Sequence, residues 1–150
     1  MSIFPTRILL ATDGSEEAVL ATLTAVDVAQ KTGSELHVIH ATPMPLYVDP
    51  STERIRLPED VDKEVREEAQ KVLDEQAQQA EAAGGTIAQT HLGLGRPDEQ
   101  IVSVAGQIGA GLIVMGSRGV GGVRRALMGS VSDSVVRHAH CPVMVVRREE

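Results

Sequence analysis

The sequence predicts an α/β fold: a single-domain, open, five-stranded parallel sheet in the order 3-2-1-4-5, with helices on both faces. Two observations carry this. Five short apolar runs are separated by stretches of helical periodicity, the alternation that builds a parallel sheet covered on both sides. The intervening stretches are also long enough to make right-handed crossovers, which parallel neighbours require. The chain has 150 residues, and its few aromatic side chains (Phe4 and Tyr47) leave an aliphatic core as the only choice.

Taken in order, strand Arg7 to Thr12 is followed by helix Glu16 to Thr32, strand Leu36 to Ala41, helix Glu59 to Ala83 and strand Thr86 to Leu92. Helix Asp98 to Ile108, strand Leu112 to Gly116, helix Ser130 to Ala139 and strand Val143 to Arg147 complete the series. The second helix shows its buried face in Val61, Val65, Ala69, Val72, Gln76 and Ala80, with Glu59, Asp60 and Asp62 in the first turn, where acids suit the helix dipole. Pro97 fits the first position of the third helix. One long connection, Thr42 to Leu57, holds Pro43, Pro45 and Pro50 and has the length of a functional lid or a mobile loop.

Composition removes several classes of function. A formal net charge of −7 disfavours a nucleic-acid partner, because that binding depends on Lys and Arg neutralising phosphates. No apolar run of about 18 residues is present, and Ile8-Leu9-Leu10-Ala11 is too short for a signal peptide. Cys141 has no partner in the chain, which fits a reducing compartment. The expectation is a cytoplasmic protein with no membrane partner.

The segment from Gly116 to Ser130 carries the chemistry. Its glycines are spaced G-x-x-G-x9-G, and the last is followed by Ser130. Gly119 would let main-chain N–H groups approach a ligand, and Gly129-Ser130 opens a helix whose first N–H groups are free to meet a phosphate. Arg118, Arg124 and Arg125 make the segment basic within an acidic chain, either as an anion-attracting patch or as solvated loop charges. Asp13 ends the first strand. It could accept hydrogen bonds from ribose, help hold a phosphate-bound Mg²⁺, or cap the next helix. Ser130-x-x-Asp133 matches a capping-box variant, so the Ser130 hydroxyl could equally serve its helix.

Other signatures are missing. There is no G-x-x-x-x-G-K-[ST] run, and Gly119-x-Gly121 and Gly93-x-Gly95 both lack the third glycine of a dinucleotide fingerprint. His138-x-His140-Cys141 contains good zinc ligands, but a histidine at a helix end is explained by the terminal carbonyls, so no protein metal site is expected. His40, at the end of the second strand, could line a crevice there.

On Ile8 through Ser15, Leu36 to Ala41, Gly95-Arg96-Pro97 and Leu112 through Val146, the chain resembles the universal stress protein family. Gly116-x-x-Gly119-x9-Gly129-Ser130 reproduces the ATP-binding signature of that family's nucleotide-binding branch. The resemblance implies a Rossmann-like fold of the adenine nucleotide alpha hydrolase-like kind. It implies adenosine lined by Ala11, Thr12 and Asp13, adenine met by the Ala41 backbone, and Met115 and Gly116 on the other side. Phosphates would sit at Gly119, Gly129, Ser130 and Val131, with the hydroxyls of Ser130 and Ser132 and the side chain of Arg118 in reach. It also implies a homodimer through the last strand, which agrees with an apolar run at an expected sheet edge.

The function expected is an ATP-binding stress-response or energy-state sensor, with Mg²⁺ accompanying the nucleotide and protein partners unidentified. Rivals are a slow ATPase or phosphotransferase, an AMP or cyclic AMP binder, and a non-nucleotide interaction module. No general base with an activating partner stands out, which leaves no catalytic residue and at most weak hydrolysis.

Overall fold

A computed structural model describes residues 3–13, 16–44, 47–48, 55–56, 59–117 and 129–147. The elements are β1 (Arg7–Ala11), α1 (Glu16–Thr32), β2 (Glu35–Thr42), β3 (Tyr47–Val48), β4 (Ile55–Arg56), α2 (Glu59–Ala82), β5 (Ile87–Leu94), α3 (Pro97–Ile108), β6 (Leu112–Gly116), α4 (Ser130–His138) and β7 (Val143–Val146). Five strands form one sheet in the order β5-β2-β1-β6-β7, and every pair is parallel. Counted along the chain without the hairpin, this is the expected order 3-2-1-4-5. The chain therefore reverses its winding between β1 and β6, where a crevice opens outside the strand ends.

Alternation along β1 builds the two core layers. Ile8 and Leu10 face α1 and α2 and pack with Ala21, Ala25, Leu73 and Val114. Leu9 and Ala11 face α3 and α4 and pack with Ile39, Ile101, Met115 and Val135. Both faces are covered, which is why these strands read as continuous apolar runs. In α1 the buried residues Ala18, Ala21, Ala25 and Ala29 are small, so the helix lies close against the sheet.

Several boundaries differ from the sequence expectation, each for a visible reason. The α2 face keeps Ala69, Gln76 and Ala80 buried as expected, but between them Leu73, which is 1% exposed, takes the place expected of Val72, which is half-buried. α3 begins at Pro97, with Arg96 as an extended N-cap, and ends at Gly109, whose φ of 67° is the left-handed conformation glycine adopts without steric cost. β2 runs on to Thr42 because its ladder with β5 continues, and the Thr42 carbonyl accepts a further bond from Gly95 N–H at 2.9 Å. Within the long connection, Tyr47–Val48 and Ile55–Arg56 pair as a small antiparallel sheet that sequence periodicity did not predict. Four paired residues are too few to show an alternation.

Candidate functional site

β1, β2 and β6 end side by side at the winding reversal. Ala11 pairs with Ile39 on one side and with Met115 on the other. Beyond them lies a cavity of about 420 Å³, within the range that holds small ligands. Its walls include Ala11, Thr12 and Asp13 from β1 and its turn, Ala41 from β2, Met115 and Gly116 from β6, and Gly129, Ser130, Val131 and Ser132 at the start of α4. Ten of the twelve residues assigned to a site from sequence thus converge on one crevice. The other two, Arg118 and Gly119, lie outside the described residues, as do Arg124 and Arg125.

The ladder explains what Ala41 presents. Thr12 N–H donates to the Ile39 carbonyl at 3.2 Å, so the main-chain groups of Ile39 point toward β1. Because these groups alternate sides along a strand, the N–H and C=O of Ala41 point the same way, past the last β1 rung and into the crevice. The Thr12 carbonyl is met instead by His40 Nδ1 at 3.2 Å. A carbonyl only accepts, so Nδ1 carries the proton. His40 both lines the crevice and holds the end of β1. Among the described residues the buried Thr12 hydroxyl has no hydrogen-bond partner, a state that costs about 1–3 kcal/mol.

The opposite wall is the α4 N-terminus. Asp133 N–H donates to the Gly129 carbonyl at 2.9 Å as the first helical bond, so the N–H groups of Ser130, Val131 and Ser132 are not used by the ladder. Gly129 is the N-cap, with φ −67° and ψ 164° and no side-chain cap bond. This corrects the capping-box reading: Ser130 is the first helical residue, and its hydroxyl does not cap α4. Gly129 N–H is already bonded to the Ser117 carbonyl at 2.6 Å. The buried Ser132 hydroxyl donates to the same carbonyl at 2.6 Å, so it could meet a phosphate only by leaving that bond.

Sequence reasoning missed the α3 wall and the neck of the glycine segment. Pro97 and Ile101 close the apolar side of the crevice. Asp98 fixes α3 on α4 by accepting from Ser134 Oγ at 2.6 Å and from Arg96 at 3.0 Å. The Ser134 hydroxyl, aided by Arg96, holds the Asp98 carboxyl below the usual carboxylate range. The position of Pro97 at the start of a helix, at the same end of the sheet as Asp13, was the available signal. Ser117 also lines the crevice, and its hydroxyl donates to Glu17 Oε2 at 2.7 Å. Nothing in the sequence set Glu17 apart from Glu16.

Elsewhere, His138 Nδ1 lies 2.8 Å from the Ser134 carbonyl, the helix-end role expected for it. Among the described residues no three His, Cys, Asp or Glu side chains are grouped to hold a metal ion, and no helix is long and apolar enough to cross a membrane.

A slot at the winding reversal of a parallel sheet, walled on one side by the N-terminus of a helix, defines the class: a doubly wound α/β protein with a crevice outside its strand ends. The chain belongs to the universal stress protein family, whose model matches residues 5–147. Universal stress protein YxiE of Bacillus subtilis (strain 168) is 34% identical over 146 residues, covering 94% of this chain and 98% of that protein. The structure of universal stress protein UspA from Lactobacillus plantarum matches with a TM-score of 0.80 and 29% identity, over 97% of this chain and 100% of that one. The fold is shared at lower identity by a universal stress protein in complex with cAMP (TM-score 0.70, 23% identity, 97% of this chain and 99% of that one). It is shared likewise by one from Archaeoglobus fulgidus in complex with dAMP (TM-score 0.65, 22% identity, 97% and 99%).

Proposed function

We propose that this universal stress protein binds an adenine nucleotide in the crevice, with ATP as the physiological ligand, and works as a nucleotide-dependent sensor rather than as an enzyme. The observation that carries the reading is the meeting, in one 420 Å³ space, of an apolar slot and the unused N–H groups of α4. Adenine would lie between Ala11, Ile101 and Met115, its edge reading the Ala41 N–H and C=O. Those two groups offer one donor and one acceptor, as the Watson–Crick edge of adenine does. Ribose would face Asp13 and Gly116. Phosphates would extend to Ser130, Val131 and Ser132, with Gly119 and Arg118 completing their surroundings.

Asp13 is exposed at the end of the first strand, where it can take a ribose hydroxyl or a nucleotide-bound Mg²⁺. Among the described walls His40 uses its Nδ1 proton to hold the end of β1 at the Thr12 carbonyl, the structural role this reading gives it. AMP or cyclic AMP is the second reading, favoured by the two distant relatives held with cAMP and dAMP. The protein would act in the cytoplasm as a homodimer paired through β7, an edge strand whose Met144 is 37% exposed.

The test is titration calorimetry of the purified chain with ATP, AMP, cyclic AMP and GTP, with and without Mg²⁺. Saturable binding of adenine compounds and not of GTP supports the proposal. Absence of binding by any of them at millimolar concentration refutes it. With no Trp and one Tyr in the chain, co-purified adenine would also dominate the ultraviolet spectrum.

A further inference from the structure

Glu17 is a carboxylate in the first turn of α1, only 8% exposed, and it lies outside the crevice lining. Burying such a group is costly unless it accepts hydrogen bonds, and Ser117 Oγ supplies one at 2.7 Å. The contact is seated tightly. A Cβ on Gly116 would lie 3.0 Å from Glu17 Cβ and 3.1 Å from its carbonyl carbon, so a side chain there would push this helix turn a few tenths of an ångström off the strand end.

From Ser117 the bonds lead on to the wall where phosphate would bind. Ser117 N–H donates to the Val146 carbonyl at 2.9 Å, and the Ser117 carbonyl accepts from Gly129 N–H and from Ser132 Oγ, each at 2.6 Å. Both donors belong to the start of α4. The Ser117 hydroxyl proton points at Glu17 and fixes the orientation of a residue that in turn fixes the helix whose free N–H groups face the cavity.

We propose that Glu17 is a positioning residue: acting through Ser117, it sets the N-terminus of α4 for phosphate and thereby determines how far a nucleotide is preferred over its nucleoside. This rests on the adenine-nucleotide reading of the crevice. It goes beyond that reading in assigning phosphate discrimination to a buried side chain that touches no ligand. Adenosine, held by the strand ends and Ala41, is nearly indifferent to the neck.

The experiment measures ATP and adenosine affinity by calorimetry on the wild-type chain and on Ser117→Ala, Ser117→Thr, Glu17→Met and Glu17→Gln, with folding checked by circular dichroism. Ser117→Ala is expected to weaken ATP about tenfold, the factor for one lost buried hydrogen bond, and adenosine by less than about twofold. Ser117→Thr keeps the hydroxyl and Glu17→Gln keeps an acceptor, so both stay within about threefold of wild type for ATP. Glu17→Met should match Ser117→Ala, and the double variant should be no weaker than either, because one chain of contacts is being cut. Wild-type binding with unchanged ATP affinity in Ser117→Ala, or with equal losses for ATP and adenosine, overturns the positioning role alone. A wild-type chain that binds neither compound overturns the crevice reading and this role with it. Should Glu17→Met fail to fold, the Ser117→Ala and Ser117→Thr pair decides the matter.

Discussion

Two glycines of one sequence motif should fail in different ways when given a methyl group. At Gly116 the new Cβ would lie 3.0 Å from Glu17 Cβ, 3.1 Å from the Glu17 carbonyl carbon and 3.3 Å from Ala18 N. Two of these are main-chain atoms of α1 and cannot rotate away, so the helix must shift by a few tenths of an ångström. Overpacking of this kind costs about 1–3 kcal/mol. At about 2–4 °C per kcal/mol for a chain of this size, Tm should fall by between about 2 and 12 °C. At Gly129, φ −67° and ψ 164° suit any residue, and replacing an N-cap glycine by alanine costs less than about 1 kcal/mol. Gly129→Ala should therefore stay close to wild-type Tm while its methyl group hinders phosphate at the α4 N-terminus, weakening ATP about tenfold or more. Thermal unfolding by circular dichroism, paired with ATP titration, reads both effects. A Gly116→Ala chain with unchanged Tm, or a Gly129→Ala chain that loses more stability than Gly116→Ala, would refute the division of roles.

Three further outcomes follow from particular contacts. Thr12→Val removes, at nearly constant volume, a buried hydroxyl that has no partner among the described residues, so without nucleotide its Tm should rise, by roughly 1 kcal/mol equivalent; a fall would mean the hydroxyl is satisfied. His91 lies 3.1 Å from His37 Nδ1, with Glu35 and Arg7 beyond, and burial first and the His37 ring second push its pKa below 6.5. The fold thus favours neutral His91: that contribution is complete above the unfolded value near 6.5 and is lost as pH falls through the lower folded value. Urea midpoints from pH 7.5 to 5 should decline less steeply in His91→Gln than in wild type, and parallel curves would count against it. Met144→Asp places a charge on the exposed edge strand, where two copies paired about a two-fold axis would set like charges close together. Light scattering should show dimer for wild type and monomer for the variant. A monomeric wild type, or a dimeric variant, would remove β7 as the interface.

Parallel pairing and two covered faces were legible because apolar runs such as Ile8-Leu9-Leu10-Ala11 and Leu112-Ile113-Val114-Met115 report strands buried on both sides, and the order 3-2-1-4-5 was the winding that makes the strands ending at Asp13 and Gly116 neighbours. The crevice followed from Asp13 and Gly116 ending neighbouring strands. Glu17 was illegible, because the burial of one acid leaves no mark on a sequence that opens its helix Glu16-Glu17. Ser117 was hidden for a related reason: it occupies a variable position of the glycine motif, and its partners Val146, Gly129 and Ser132 are brought to it only by the fold. The Leu73-for-Val72 correction arises because the i+3 and i+4 positions from Ala69 both border the buried face, and the period alone does not choose between them. Ser130 was matched to a cap by pattern, whereas the helix begins one residue earlier in capping terms, at Gly129.

The central claim is that adenine and phosphate meet main-chain groups on opposite walls of one crevice, and ¹H–¹⁵N spectra recorded during ATP addition test it most directly. The account predicts saturable shifts in the amides of Ala41, Ser130, Val131 and Ser132, with adenosine moving Ala41 but sparing the α4 amides. Shifts confined to another face of the protein, or no shift at millimolar ATP, would contradict it.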